Sequence, residues 1–165
     1  KFGRVFLLPA SPGTLNRFFG GLGMEPLSAS YDPTRFLSFL DGRKAPVKAV
    51  LLDQRFIAGI GNIYADEALF DAGIHPARRV RYLRKYEKMR LFEAIPRVLR
   101  RGIEFGGTSI RDYVNSDGMA GSNQDELQVY GRGGLPCPRC GEAIRKIVLA
   151  QRGTHFCPQC QPRCR

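Results

Sequence analysis

The sequence predicts a mainly α-helical domain, closed at its C-terminal end by a β-hairpin too small to hold itself together. Three observations predict it. A pattern of capping residue, apolar residues three and four apart, and terminating glycine recurs from Ser11 to Gly107. Four cysteines, Cys137, Cys140, Cys157 and Cys160, are spaced C-x2-C-x16-C-x2-C. Charge is one-sided: 26 Lys and Arg stand against 15 Asp and Glu, a net of +11 with a pI near 9.9.

Residues 2–8 are β-rich and end at Pro9, so they read as an internal strand and the chain reads as the C-terminal part of something longer. Ser11-Pro12 then opens a short helix, Ser as cap and Pro in the first turn. It carries Leu15, Phe18 and Phe19 and stops at Gly20-Gly21. Asp32-Pro33 repeats the start signal for a helix bearing Phe36, Phe39 and Leu40, ended by Gly42. Residues 45–52 are a further helical stretch, broken by Gly59 and Gly61. Asn62 is expected to cap a helix over 63–72 that Gly73 closes. A long helix is expected over about 83–105, kinked at Pro96, densely basic on a solvated face and ended by Gly106-Gly107. From Thr108 to Pro136 the periodicity dissolves into turn chemistry, and a loop of that length is more often functional than accidental.

Each cysteine pair can reach one ion from a tight turn, and the stretch between the pairs is long enough to return as a hairpin. That is the ligand count and spacing of a closed tetrahedral zinc site. The residues between the pairs bury no core of their own, so one structural Zn2+ must hold them. Four of the five cysteines in a metal pattern point to a reducing compartment, and Cys164 is left as a tail thiol. No apolar run approaches the ~20 residues that span a bilayer. The positive charge points to a polyanionic partner, nucleic acid first, with a ribosome-associated or merely soluble basic protein as the alternative.

Gly59-Ile60-Gly61-Asn62 combines two glycines with a helix N-terminus, either a tight turn with a cap or an anion site. Lys44 and Lys48, just upstream, tilt it toward phosphate. Arg152, expected at the tip of the metal-held hairpin, suits bidentate phosphate contact. His155 is a weak zinc candidate because four thiolates suffice, and His75, before Pro76, reads as structural.

Residues 51–76, LLDQRFIAGIGNIYADEALFDAGIHP, resemble the helix–two-turns–helix signature of the formamidopyrimidine-DNA glycosylase and endonuclease VIII family. So do residues 111–118 (RDYVNSDG), 128–132 (QVYGR) and 150–160 (AQRGTHFCPQC). The match covers nearly the whole chain, in order. The VNSDG loop and the zinc ending favour the formamidopyrimidine branch.

The resemblance implies a base-excision-repair DNA glycosylase and AP lyase acting on oxidised purines, 8-oxoguanine or formamidopyrimidines, flipped out of duplex DNA. It implies that Gly61, Asn62 and Arg152 hold phosphates around the lesion, with Arg152 also assisting δ-elimination. Lys44 matches a DNA-contacting lysine, with Lys48 nearby. Lys1 matches a basic position reaching the orphaned strand, and Phe2 an aromatic wedge. Ser116, Asp117, Gly118, Gly121, Ser122 and Asn123 match a loop that closes over an oxidised purine, although Gly121-Ser122-Asn123 departs from the aromatic-containing form. The implied division is residues 1–9 as the end of an N-terminal β-domain, 10–133 as the helical domain with its lesion loop at about 115–125, and 134–165 as the zinc finger. The implied partner is double-stranded DNA with a damaged base or abasic site, bound by a monomer in the bacterial cytoplasm and not at a membrane.

The family's nucleophile, an N-terminal proline, and its catalytic lysine are not among these residues. An imine-forming step needs an amine of lowered pKa, and the sequence presents no evident one, so this chain by itself is expected to bind DNA without glycosylase activity. Two rivals remain: a non-catalytic zinc-containing DNA-binding module, and a zinc-ribbon protein of transcription or translation. The second explains the cysteines and charge but not Gly59–Asn62 or Gln151–Thr154.

Overall fold

The structure is a computed structural model that describes residues 6–9, 11–108 and 121–163. The expected strand at 2–8 therefore lies largely outside the described residues, and residues 6–9 carry no regular structure. Among the described residues, five α-helices precede a two-stranded antiparallel hairpin: α1 Pro12–Phe19, α2 Pro33–Leu40, α3 Val47–Leu51, α4 Asn62–Asp71, α5 Lys85–Glu104, β1 Arg145–Leu149 and β2 Arg152–Phe156.

The first two helices start as their sequences dictate. Ser11 Oγ accepts from Thr14 N at 3.3 Å, and Asp32 Oδ1 accepts from Arg35 N at 2.8 Å, each with Pro opening the helix. Their fates differ. α2 buries Phe36 and Leu40, whereas α1 buries nothing and leaves Leu15, Phe18 and Phe19 exposed beside Phe6.

α3 is shorter than the expected 45–52. Residues 43–46 are extended because their carbonyls serve the segment 78–81: Val80 N donates to Ala45 O and Arg81 N to Arg43 O, both at 3.0 Å, around a Pro46–Arg79 bridge. The turns between α3 and α4 are held by side chains: Asp53 accepts from Arg55 N at 3.1 Å, and Gln54 spans the second turn. Gln54 accepts from Gly59 N and donates to Ile60 O, both at 2.9 Å. Gly59 sits at φ +81°, a conformation that Cβ-bearing residues rarely adopt, while Phe56, Ile57 and Ile60 point into the core.

α5 runs unbroken through Pro96. Proline has no N–H for the Phe92 carbonyl four residues earlier. The Tyr31 hydroxyl donates to that carbonyl at 3.1 Å, its ring stacked on Phe92 with centroids 4.2 Å apart. The helix is not basic on every side. Arg78, in the segment leading into it, is buried against Glu87, with N–O distances of 2.5 and 3.0 Å. Glu87 also accepts from Arg84 N and so closes the first turn of α5.

The main core is built from α2 through α5, with Leu51, Ile57, Leu69 and Ile95 among its sealed side chains. A second core joins Phe70 of α4 to Val129, Cys137, Ile144 and Cys157. α4 thus serves both. Glu67 of α4 reinforces the seam, its carboxylate accepting the backbone N–H groups of Gln128, Val129 and Tyr130, each at 2.9 Å. No described helix is long and apolar enough to cross a membrane.

Candidate nucleic-acid interface

The hairpin pairs Leu149 with Arg152 across a two-residue turn, Ala150-Gln151, in which both residues have positive φ (50° and 58°). This is the mirror-image turn that matches the twist of paired strands. Arg152 is therefore not the tip itself. It opens β2, exposed, on the face it shares with Thr154 by the two-residue period of a strand.

That face is clamped to the helical domain. Asn62 Nδ2 donates to Gly153 O at 2.9 Å. Lys48 Nζ donates to Gly153 O at 3.1 Å and to Thr154 Oγ1 at 2.8 Å, and pairs with Asp66 at 2.6 Å. Asp66 closes the circuit by accepting from His155 N at 2.9 Å. Side chains from α3 and α4 thus hold the backbone immediately after Arg152.

Several sequence expectations change here. Asn62 does not cap α4. Gly61 occupies the cap position, Asn62 is the first helical residue, and its amide is spent on the hairpin. The leading amides of α4 consequently have no side-chain cap and remain suited to an anion. Lys48 is not a surface phosphate contact. It is fully buried, because its long stem crosses the core and its ammonium is consumed by Asp66 and the hairpin. Lys44 and Gly61 are exposed, as a contact role requires.

Asp66 and Glu67 are the residues sequence reasoning missed. Two adjacent acids in the middle of α4, set between Ala65 and the apolar run Ala68 to Phe70, were the available signal. Burial raises the Asp66 carboxyl to about 6, against the hydrogen bond and charge of Lys48. Burial lowers the Lys48 ammonium. Lys48 is thus an amine of lowered pKa that the sequence did not reveal, but one sealed from solvent and ion-paired, which rules it out as a nucleophile in this arrangement.

Lys1, Phe2, Ser116, Asp117 and Gly118 lie outside the described residues, as does Cys164. Gly121, Ser122 and Asn123 are pinned to the end of α5 and do not form a free lid. Ser122 N donates to Phe105 O at 2.9 Å and Asn123 N to Gly107 O at 3.2 Å. A Cβ on Gly121 would collide with the carbonyls of Gly106 and Gly107, and Asn123 is buried with its amide on Thr108 Oγ1.

The four cysteine sulfurs lie within 4.8 Å of one another. Zn–S bonds of about 2.3 Å arranged tetrahedrally place sulfurs about 3.8 Å apart. The separations of 3.9 Å for Cys137–Cys160 and 3.4 Å for Cys140–Cys157 bracket that value. Burial and neighbouring thiols push Cys157 and Cys160 up, crowding that a divalent cation relieves. His155 belongs to another network, packing on Tyr130 with its Nδ1 3.5 Å from Asp66.

The architecture is that of a helix–two-turns–helix domain followed by a four-cysteine zinc finger. The family model for the formamidopyrimidine-DNA glycosylase H2TH domain matches residues 22–114, and that for the zinc finger found in FPG and IleRS matches residues 134–163. The chain belongs to the formamidopyrimidine-DNA glycosylase H2TH family and carries its zinc finger, in which Cys137, Cys140, Cys157 and Cys160 lie close enough to hold one structural zinc ion. It is 48% identical to a formamidopyrimidine-DNA glycosylase of Gluconobacter oxydans over 98% of this chain and 59% of that protein. Among solved structures, MutM (Fpg) of Thermus thermophilus superposes with a TM-score of 0.84 at 46% identity, over 90% of this chain and 57% of that one. Lactococcus lactis Fpg in complex with DNA containing an abasic site matches with a TM-score of 0.84 at 41% identity, over 90% of this chain and 55% of that one. The chain spans somewhat over half the length of these relatives.

Proposed function

We propose that this chain is the DNA-gripping part of a base-excision-repair glycosylase and AP lyase acting on oxidised purines. The observation that carries the reading is the clamp on Gly153. It fixes the backbone next to the exposed Arg152 against Asn62, the first residue of α4, whose leading amides have no side-chain cap. Donors from a helix N-terminus and an arginine on a braced strand converge where one phosphodiester can take both. Lys48 and Asp66 act from behind as positioning residues, holding the hairpin without touching DNA.

In this reading the grip presents a kinked strand whose damaged base has left the stack, and Lys44 contacts a flanking phosphate. Arg152 stabilises the phosphate that departs in δ-elimination. Lys1 reaches the orphaned strand, Phe2 fills the gap, and residues 116–118 close over the flipped purine from the anchor at 121–123. The chemistry of base removal belongs to polypeptide beyond these 165 residues. The uncovered apolar face of α1, with Leu15, Phe18 and Phe19, is a surface on which such polypeptide would pack. The abasic-site DNA held by the Lactococcus lactis relative supports the same partner for this chain.

Borohydride trapping on duplex DNA carrying 8-oxoguanine tests the reading, with the whole coding frame's product run beside the 165-residue chain. A covalent adduct with the longer protein alone is expected. Tight binding with no adduct from either would favour a non-catalytic zinc-containing DNA-binding module. On the chain itself, Arg152→Ala should weaken duplex binding by about tenfold or more, the worth of one charge-assisted hydrogen bond. The hairpin's amide spectrum should be unchanged beyond the substituted site, and retained affinity would remove Arg152 from the grip.

A further inference from the structure

The proposed grip absorbs few of the chain's cations, and another group of them has one address. Residues 42–52 contain no acid and residues 77–92 contain only Glu87. The structure brings these segments together through the Pro46–Arg79 bridge and the bonds from Val80 N to Ala45 O and Arg81 N to Arg43 O. Three of their cations are neutralised: Lys48 by Asp66, Arg78 by Glu87 and Lys88 by Asp41. Arg78 takes the segment's only acid inward, so what remains outside is charge of one sign.

Lys44, Arg79, Arg81, Arg84 and Lys85 are all exposed, and none has an acidic partner among the described residues. The Arg81 guanidinium lies over the ring of the exposed Tyr82, 4.6 Å from its centroid, and donates to its hydroxyl at 2.6 Å. A guanidinium seated on a ring surrenders less side-chain freedom on binding than a free one. Gathering like charges on bridged backbones raises the free energy of the unliganded protein, and a polyanion relieves it.

We infer that this patch is a second phosphate-binding surface, continuous with the grip through Lys44, and that it takes the backbone of the same DNA duplex outside the lesion. Duplex DNA is the occupant the charge pattern fits, since phosphates repeat along it at a regular spacing. The inference rests on the proposed grip for its partner but not for its residues.

The test is the salt dependence of binding to an undamaged duplex of roughly three helical turns. Zinc-loaded wild-type chain is compared with Arg79→Gln/Arg81→Gln/Arg84→Ser/Lys85→Gln, and separately with Arg152→Ala on both this duplex and the same duplex carrying an abasic site. Serine is a favoured residue at the cap position that Arg84 occupies, so the variant keeps the start of α5. Each phosphate contact contributes about 0.9 to the slope of log K against log salt, so the fourfold variant should lower the slope's magnitude by about 2 to 4. Its melting transition should stay at the wild-type position. An unchanged slope, or weaker binding with the slope retained, overturns the patch. If Arg152→Ala then still weakens binding, the grip stands without the patch. If only the fourfold variant weakens binding, the patch stands and the grip falls.

Discussion

Replacing Lys48 by Met would leave the Asp66 carboxylate buried without its cation. Removing one partner of a buried pair costs about 3–5 kcal/mol, and Lys48→Met should show a loss of that order in denaturant unfolding. Lys48→Met/Asp66→Asn should recover a large part of it. A single variant as stable as wild type would mean that the pair contributes nothing. His75 supplies a second test. Its Nδ1 accepts from Ala77 N at 3.1 Å, which only the neutral ring can do, and its ring lies on Phe156, 4.4 Å between centroids. Burial, with Arg163 and Arg78 adding to it, lowers its pKa to about 4. The unfolded chain binds a proton near pH 6.5 that the folded chain refuses. This contribution to stability is therefore whole above pH 6.5 and is lost as pH falls through about 4. His75→Asn, which keeps an acceptor in place but does not titrate, should flatten stability against pH in that window. An identical profile would refute the assignment.

Among the elements, α5 depends on a residue far from it in sequence. Tyr31→Phe should cost about 1–2 kcal/mol, because the Phe92 carbonyl loses the hydroxyl that stands in for the missing donor of Pro96. The same substitution in a Pro96→Ala background should cost less, since alanine at that position restores an N–H to the carbonyl. Equal costs in both backgrounds would show that the hydroxyl does not compensate for proline. This arrangement also shows what was legible. The starts of α1 and α2 could be read because Ser11-Pro12 and Asp32-Pro33 carry local signals. The continuity of α5 through Pro96 could not, because its support comes from Tyr31. α3 was read too long for the same reason: its first residues are held extended by residues 78–81. Asn62 was placed at the right helix end in the wrong role, because its hydrogen bond is to Gly153 rather than to its own helix.

For the molecule as a whole, zinc removal should divide the fold. Structural zinc contributes about 10–16 kcal/mol to modules of this kind, and the four cysteines lie outside the main core. Chelation should collapse the amide signals of Ile147 and Thr154 while those of Ile57, Leu69 and Ile95 persist. Loss of all signals together, or of none, would contradict two cores joined through α4. The zinc ligands and the basic character were open to the sequence because spacing and composition are one-dimensional properties. The clamp was not, since Lys48, Asn62 and Asp66 meet residues 153–155 only after the chain has folded back over 105, 91 and 89 positions.

That return has a consequence for the order of events during synthesis. Domains form as the chain emerges, beginning from the N-terminal side. The helices can pack once residue 104 is available, but Lys48 and Asp66 are sealed only when His155 arrives, and the finger closes only with Cys160. Until then both charges face water and Arg152 has no fixed place. The proposed phosphate grip therefore cannot exist before residue 160 has been made, whereas the helices can pack some fifty residues earlier in synthesis.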